Sequence, residues 1–99
     1  LVITCRGRAA HAAKVPNDGR NAIVALAEYL VAVARIPAEM PGVLVNVGHI
    51  RGGGAATNVV PDFAESIIDV RITKVADREP LLARFQALAE PINARDGLR

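Results

Sequence analysis

Few side chains in this sequence can do chemistry beyond charge pairing. There are two histidines, His11 and His49, one cysteine, Cys5, and one serine, Ser66. A zinc site needs three or four converging His, Cys, Asp or Glu ligands. His11, His49 and Cys5 do not stand at ligand spacing, so no complete metal site is expected in the chain. A Ser-His-Asp arrangement is not expected either, because Ser66 points into a predicted core. The glycine run "RGGGAATN" lacks the Gly-Lys-Ser/Thr ending of a phosphate loop and reads as a flexible connection. His11 lies in "GRAAHAAKVPNDGRNAI", after a strand and before a helix, so it is on a loop and accessible. The ordinary reading of a lone histidine is a surface residue without a role, and His49 is left with that reading. Arg71 is a sheet-face charge paired with Asp69 or Glu65. Asn58 is a turn residue whose side chain holds its loop. Cys5 is a buried thiol acting as a small hydrophobe.

These residues must be positioned by a short list of elements. "LVITCR" is apolar and β-branched and reads as a strand. Asn17 or Asp18 offers an N-cap, and Ile23, Leu26, Ala27, Leu30 and Ala34 follow at helical spacing. Ala25, Ala32 and Val33 then fall on the outward side. The helix should end near Arg35, before Pro37, and Pro41-Gly42 makes a turn. "VLVNVGHI" is the second strand, and "RGGGAATNVVP" is a loop. In "FAESIIDVRIT" the alternation sends Ala64, Ser66, Ile68, Val70 and Ile72 to the core. Glu65, Asp69 and Arg71 face out, with Phe63 and Ile67 among them. Asp77 caps a second helix carrying Leu81, Leu82, Phe85, Leu88 and Ala89, which Pro91 should end or kink near Glu90. "ARDGLR" reads as a turn into a further strand. The order is β-α-β-β-α-(β), an α+β, ferredoxin-like plan with both helices on one face of an antiparallel sheet and the last strand missing or truncated.

Composition bounds the rest. The chain has 99 residues, 52% of them hydrophobic and 3% aromatic. One domain with a core of Val, Ile, Leu and Ala is expected. Net charge is +2 and the pI is near 9.2, but no run of like charge appears. A nucleic-acid partner is therefore not expected. No apolar run approaches the roughly 20 residues of a membrane span. One cysteine cannot form an internal disulfide, which fits a reducing, cytoplasmic setting. The chain has no initiator Met and reads as a fragment of something longer.

The stretches "GRAAHAAKVPNDGRNAI" and "VNVGHIRGGGAATNVVPDFAESIIDVR", in that order, resemble the dimerisation (lid) domain of zinc-dependent aminoacylases and carboxypeptidases. That family includes glutamate carboxypeptidases, succinyl-diaminopimelate desuccinylases and related amidohydrolases. The resemblance runs over nearly the whole chain, residues 1–99. It implies a lid inserted in a larger two-domain enzyme. There the metal ligands and a glutamate base belong to the catalytic domain, which holds two divalent metal ions, and the lid carries no cofactor. The lid forms the homodimer, through the first helix and second strand, and completes the active site. By resemblance the lid histidine falls on His11 and reaches the partner subunit's site near the reacting carbonyl oxygen. The asparagine and arginine fall on Asn58 and Arg71 and help hold the substrate's carboxylate. This chain has Ala13 where the family often has glycine. The fragment alone is expected to be catalytically inert, and the parent to cleave amide bonds of N-acyl amino acids or small peptides. Two other classes share the topology. A small-molecule-binding regulatory domain does not explain the joint His-Asn-Arg pattern. An RNA-binding domain needs exposed sheet aromatics, and the outer face offers only Phe63.

Overall fold

The computed structural model describes residues 1–8 and 19–96. Strand β1 is Val2–Arg6, helix α1 Ala22–Ala34, a short helix α2 Ile36–Glu39, β2 Val43–Gly52, β3 Phe63–Ile72 and α3 Arg78–Asp96. The strands form one antiparallel sheet in the order β1-β3-β2. Both long helices pack on one face, as the ferredoxin-like plan requires, and the other face is open.

β3 forms the middle of the sheet because its alternation is regular. Ala64, Ser66 and Ile68 are buried, and Val70 and Ile72 pack against the same core. Cys5 on β1 and Val43 on β2 join them from either side. α1 supplies Ala22, Ala25, Leu26, Leu30 and Val33, and α3 supplies Leu81 and Phe85. Ile68 is almost fully enclosed, so Ile68→Ala would cost about 2–5 kcal/mol.

α1 differs from its expected phase. Ala25 and Val33, expected outward, are buried, while Ala27 and Ala34, expected inward, are exposed. In a helix this rich in Ala and Val many stripes are apolar, and packing selects the one that also carries Leu26 and Leu30. The observed N-cap is Asn21, whose side chain accepts from the Val24 amide at 3.1 Å. Asn17 and Asp18 lie outside the described residues. Leu82 on α3 is also exposed rather than inward.

Two helix boundaries also differ. After the Arg35 cap the chain does not go directly to a turn. It makes one more helical turn, α2, with Pro37 in its first positions, where a missing amide costs nothing. α3 does not stop at Glu90. It carries Pro91 inside it and continues through residues 94–96, which were expected to be a turn. Pro91 removes one helical hydrogen bond, but its own side is exposed, and Leu88 and Ile92 hold both halves of the helix on the core. Asp77 ends a 3-10 turn, Val75–Asp77, directly before α3.

The β2–β3 register contains one irregularity that matters below. Val43, Val45 and Val47 pair with Ile72, Val70 and Ile68, but His49 pairs with Ile67 and Ile50 with Ser66. Gly48 is the extra residue of a β-bulge. Without it the alternation would turn His49 toward the helices and Ile50 away. With it, Ile50 stays on the helix side and His49 comes out on the open face.

Candidate functional site

The open face of the sheet is laid out in cross-strand rows. Leu44 stands opposite Arg71, and Asn46 opposite Asp69. His49, Ile67 and Val2 form the next row, then Arg51, Glu65 and Thr4, and last Phe63 with Arg6. This is the side that carries the sheet-face charges expected from β3.

Arg71 is the second-last residue of β3, 73% exposed at its side chain. Its Nε donates to Asp69 Oδ2 at 3.1 Å. Of the two partners expected for it, Asp69 is the one used. That leaves both terminal nitrogens free for a carboxylate, which they match as a planar fork. Glu65 is taken by Arg51, at 3.0 Å. Arg6 lies over the half-buried Phe63 ring, 5.4 Å from its centroid. The one aromatic of this face is therefore covered by a side chain of the sheet itself, not bare as a base-stacking platform.

At the other end of β3 several chain segments are tied into one rim. Gly7 N–H donates to the Asp62 carbonyl at 2.8 Å, and Ala22 N–H to the Pro61 carbonyl at 3.0 Å. Arg8 and Arg20 form an isolated antiparallel bridge, with N–H···O distances of 2.9 and 2.8 Å. These bonds bring the base of the segment that carries His11 against the β2–β3 loop that carries Asn58. His11 itself lies outside the described residues. Asn58 sits in a turn of that loop and is exposed. Residues 53–56 and 59–63 of the same stretch line an open cavity of about 340 Å³.

The structure thus sets the main chain of Gly7, Arg8 and Arg20 beside the base of the Asn58 loop, and Arg71 toward the far end of β3. Eight residues separate Phe63 from Arg71 along β3, a rise of about 26 Å. Arg71 bonds Asp69 rather than the loop.

Cys5 is a buried thiol outside any disulfide. Ser66 is wholly buried and its hydroxyl donates to the His49 carbonyl at 2.7 Å. Its part in the bulge was not visible in the sequence, because a bulge leaves no composition signal apart from Gly48. Among the described residues no three His, Cys, Asp or Glu side chains come together as a metal cradle. Among the described residues no helix is long and apolar enough to cross a membrane.

Three kinds of comparison agree with this geometry. The family model for the peptidase dimerisation domain matches residues 1–97. The chain is 32% identical over 92 residues to a p-aminobenzoyl-glutamate hydrolase homolog of Haemophilus influenzae, covering 92% of this chain and 22% of that protein. It is 33% identical over 100 residues to the N-carbamoyl-L-amino-acid amidohydrolase of Rhizobium meliloti, covering 99% of this chain and 24% of that protein. Among solved structures, the aminobenzoyl-glutamate utilization protein from Klebsiella pneumoniae superposes with a TM-score of 0.85 at 32% identity, over 99% of this chain and 25% of that one. The chain spans about a quarter or less of the length of these relatives. With a family model that matches from the first strand through the second long helix, on a fold of the same architecture, the chain belongs to the peptidase dimerisation domain family.

Proposed function

We propose that this chain is the dimer-forming and active-site-completing lid of a metal-dependent peptidase or amidohydrolase, one that cleaves amide bonds of N-acyl amino acids or small peptides. The observation that carries the reading is the side where α1 runs beside the outer edge of β2, which pairs with no other strand among the described residues. Val24 and Val31 of α1 are 51% and 55% exposed, and Ala27 between them is also exposed. Val47 and Ile50 are exposed on the helix side of β2. An apolar stripe next to an unpaired strand edge invites a second copy. Two such edges meeting antiparallel make one continuous sheet with the two α1 helices side by side, a self-complementary two-fold contact. The helix residues at this contact are Val24, Ala27 and Val31, not the Ala25 and Val33 expected from the sequence.

The rest of the active site belongs to the parent's own catalytic domain, which also holds the metal ions. Amide hydrolysis builds negative charge on the carbonyl oxygen, and a positioned donor stabilises it. His11 serves as that donor in the partner subunit. Arg71 and Asn58 hold the substrate. Within one chain Arg71 stands at the far end of β3 from the Asn58 loop and from the main chain of Gly7, Arg8 and Arg20, which supports a site assembled from both subunits. A reducing, cytoplasmic setting, in which the buried Cys5 stays a thiol, is part of the same proposal.

The test uses the full-length protein, screened for hydrolysis of acyl-amino acids and dipeptides with added zinc, cobalt or manganese. Two inactive variants, His11→Ala and a metal-ligand mutant, are then mixed. Mixed dimers should regain one working site. No recovery after verified subunit exchange overturns the cross-subunit role. A full-length protein that stays monomeric at high micromolar concentration in sedimentation overturns the dimer.

A further inference from the structure

We propose that a second copy of this chain meets β2 in one register, with the two-fold axis beside His49, so that the two His49 side chains stand face to face on the open side of the joined sheet. The inference rests on the reading of β2 and α1 as the dimer contact, and adds which residues meet there. In an antiparallel two-fold pair the residue at the axis meets its own copy, and its neighbours are exchanged symmetrically. The axis therefore falls midway between the exposed apolar residues that the two copies cover for each other.

Two elements place that midpoint independently. On the helix side of β2, Val43 is buried and Val45 half-buried, while Val47 and Ile50 are exposed. The two exposed residues share a side because the bulge at Gly48 takes up one residue between them. Pairing Val47 with the partner's Ile50, and Ile50 with the partner's Val47, covers both and puts the axis at His49. On α1 the exposed apolar residues Val24 and Val31 are centred on Ala27 and Glu28. A Cβ on Gly52 would stand 2.9 Å from Ile23 Cγ1, so the start of α1 lies over Gly52. From Ile23 to Ala27 the helix rises about 6 Å, and from Gly52 to Ile50 the strand rises about 7 Å. The helix midpoint thus lies within about one strand residue of His49. The open face fits the same register, in which Asn46 meets the partner's Arg51. Arg51 donates from Nε to Glu65, which leaves its terminal nitrogens for the amide oxygen of Asn46 across the axis.

The experiment introduces cysteines into the full-length protein, with its native cysteines replaced by alanine, and follows covalent dimers under mild oxidation. At the axis the two copies of residue 49 have Cα atoms about 5 Å apart, within disulfide reach. His49→Cys alone should therefore link the two subunits. Asn46→Cys alone and Arg51→Cys alone should not, because each stands about 13 Å along the strand from its own copy. The two combined in one chain should link. A second measurement leaves the native cysteines in place. His49→Lys and His49→Glu each set like charges face to face, so both should raise the dimer Kd severalfold, and a mixture of the two should favour the heterodimer. A full-length protein that sediments as a dimer overturns this inference alone if Asn46→Cys or Arg51→Cys links faster than His49→Cys. The same holds if the Lys and Glu variants mix at random. A full-length protein that stays monomeric at high micromolar concentration overturns the dimer reading and the inference with it.

Discussion

The hydroxyl of Ser66 donates to the main-chain carbonyl of His49 at 2.7 Å, and this bond holds the β-bulge that decides which face of the sheet His49 occupies. A bulge interrupts the ladder and leaves main-chain groups to be satisfied some other way. Ser66 is enclosed in the core, where an unpaired polar group would be costly. Each group therefore satisfies the other.

Ser66→Ala should remove that partner and leave a carbonyl short of a donor. The expected loss is about 1–3 kcal/mol in chemical denaturation, with the denaturant slope unchanged. A change of only a few tenths of a kcal/mol would mean that the ladder alone holds the bulge.

Much of this arrangement was readable from residue order, and some of it was not. β3 was legible because a period of two is unambiguous: Ala64, Ser66 and Ile68 are buried as expected. The pairing of Arg71 was legible down to two candidates, and geometry selects Asp69. The face of α1 was legible only where Leu26 and Leu30 mark it, since Ala and Val tolerate either side. Pro91 misled, because a helix with packing on both sides of a proline can outlast one lost hydrogen bond. The exit of His49 onto the open face was hidden, because one inserted residue inverts the alternation without altering composition.

A second prediction concerns the rim. A Cβ on Gly7 would stand 1.9 Å from the main-chain carbonyl oxygen of Arg20. Gly7→Ala must therefore displace the Arg8–Arg20 bridge that closes the base of the His11 segment. The control is Gly54→Ala, where nothing lies within 4 Å. Gly7→Ala should lower Tm by several degrees, on the scale of about 4–8 °C per kcal/mol for a domain this size, and Gly54→Ala should leave it nearly unchanged. Equal melting of the two variants would show that the rim yields without strain.

Alkaline pH should expose the tie between the long helices. Tyr29 on α1 donates its hydroxyl to the Phe85 carbonyl on α3 at 3.0 Å. Burial raises its pKa above the ordinary value of 10.0, because the charged phenolate is disfavoured there. The folded state therefore holds its proton more tightly than the unfolded state. The stabilisation is complete below about pH 10 and is lost as pH rises through the raised folded value. Wild type should lose stability above pH 10 more steeply than Tyr29→Phe. The variant should also be less stable at neutral pH, by about 0.5–1.5 kcal/mol for the lost hydrogen bond. Parallel pH profiles for the two would assign the alkaline loss to other groups.

The last prediction separates two roles for Asp69. Its bond to Arg71 is exposed on both sides, 57% and 73%, so it contributes little to stability. Asp69→Ala should shift the folding free energy by no more than about 0.5 kcal/mol. Its effect on function should be larger. Asp69 accepts from Nε and leaves the terminal nitrogens as a fork, so on the role proposed for Arg71 it would orient the guanidinium toward the substrate's carboxylate. In the full-length enzyme, loss of that orientation should raise KM for carboxylate-bearing substrates severalfold and leave kcat nearly unchanged. The direction decides the role. If Asp69 instead competes with substrate for the same guanidinium, removing it would free Arg71 and lower KM. Arg71→Lys supplies the reference, because an ammonium keeps the charge and cannot form the fork. A KM for Asp69→Ala that rises toward that of Arg71→Lys makes Asp69 a positioning residue. A KM that falls below wild type makes it a competitor.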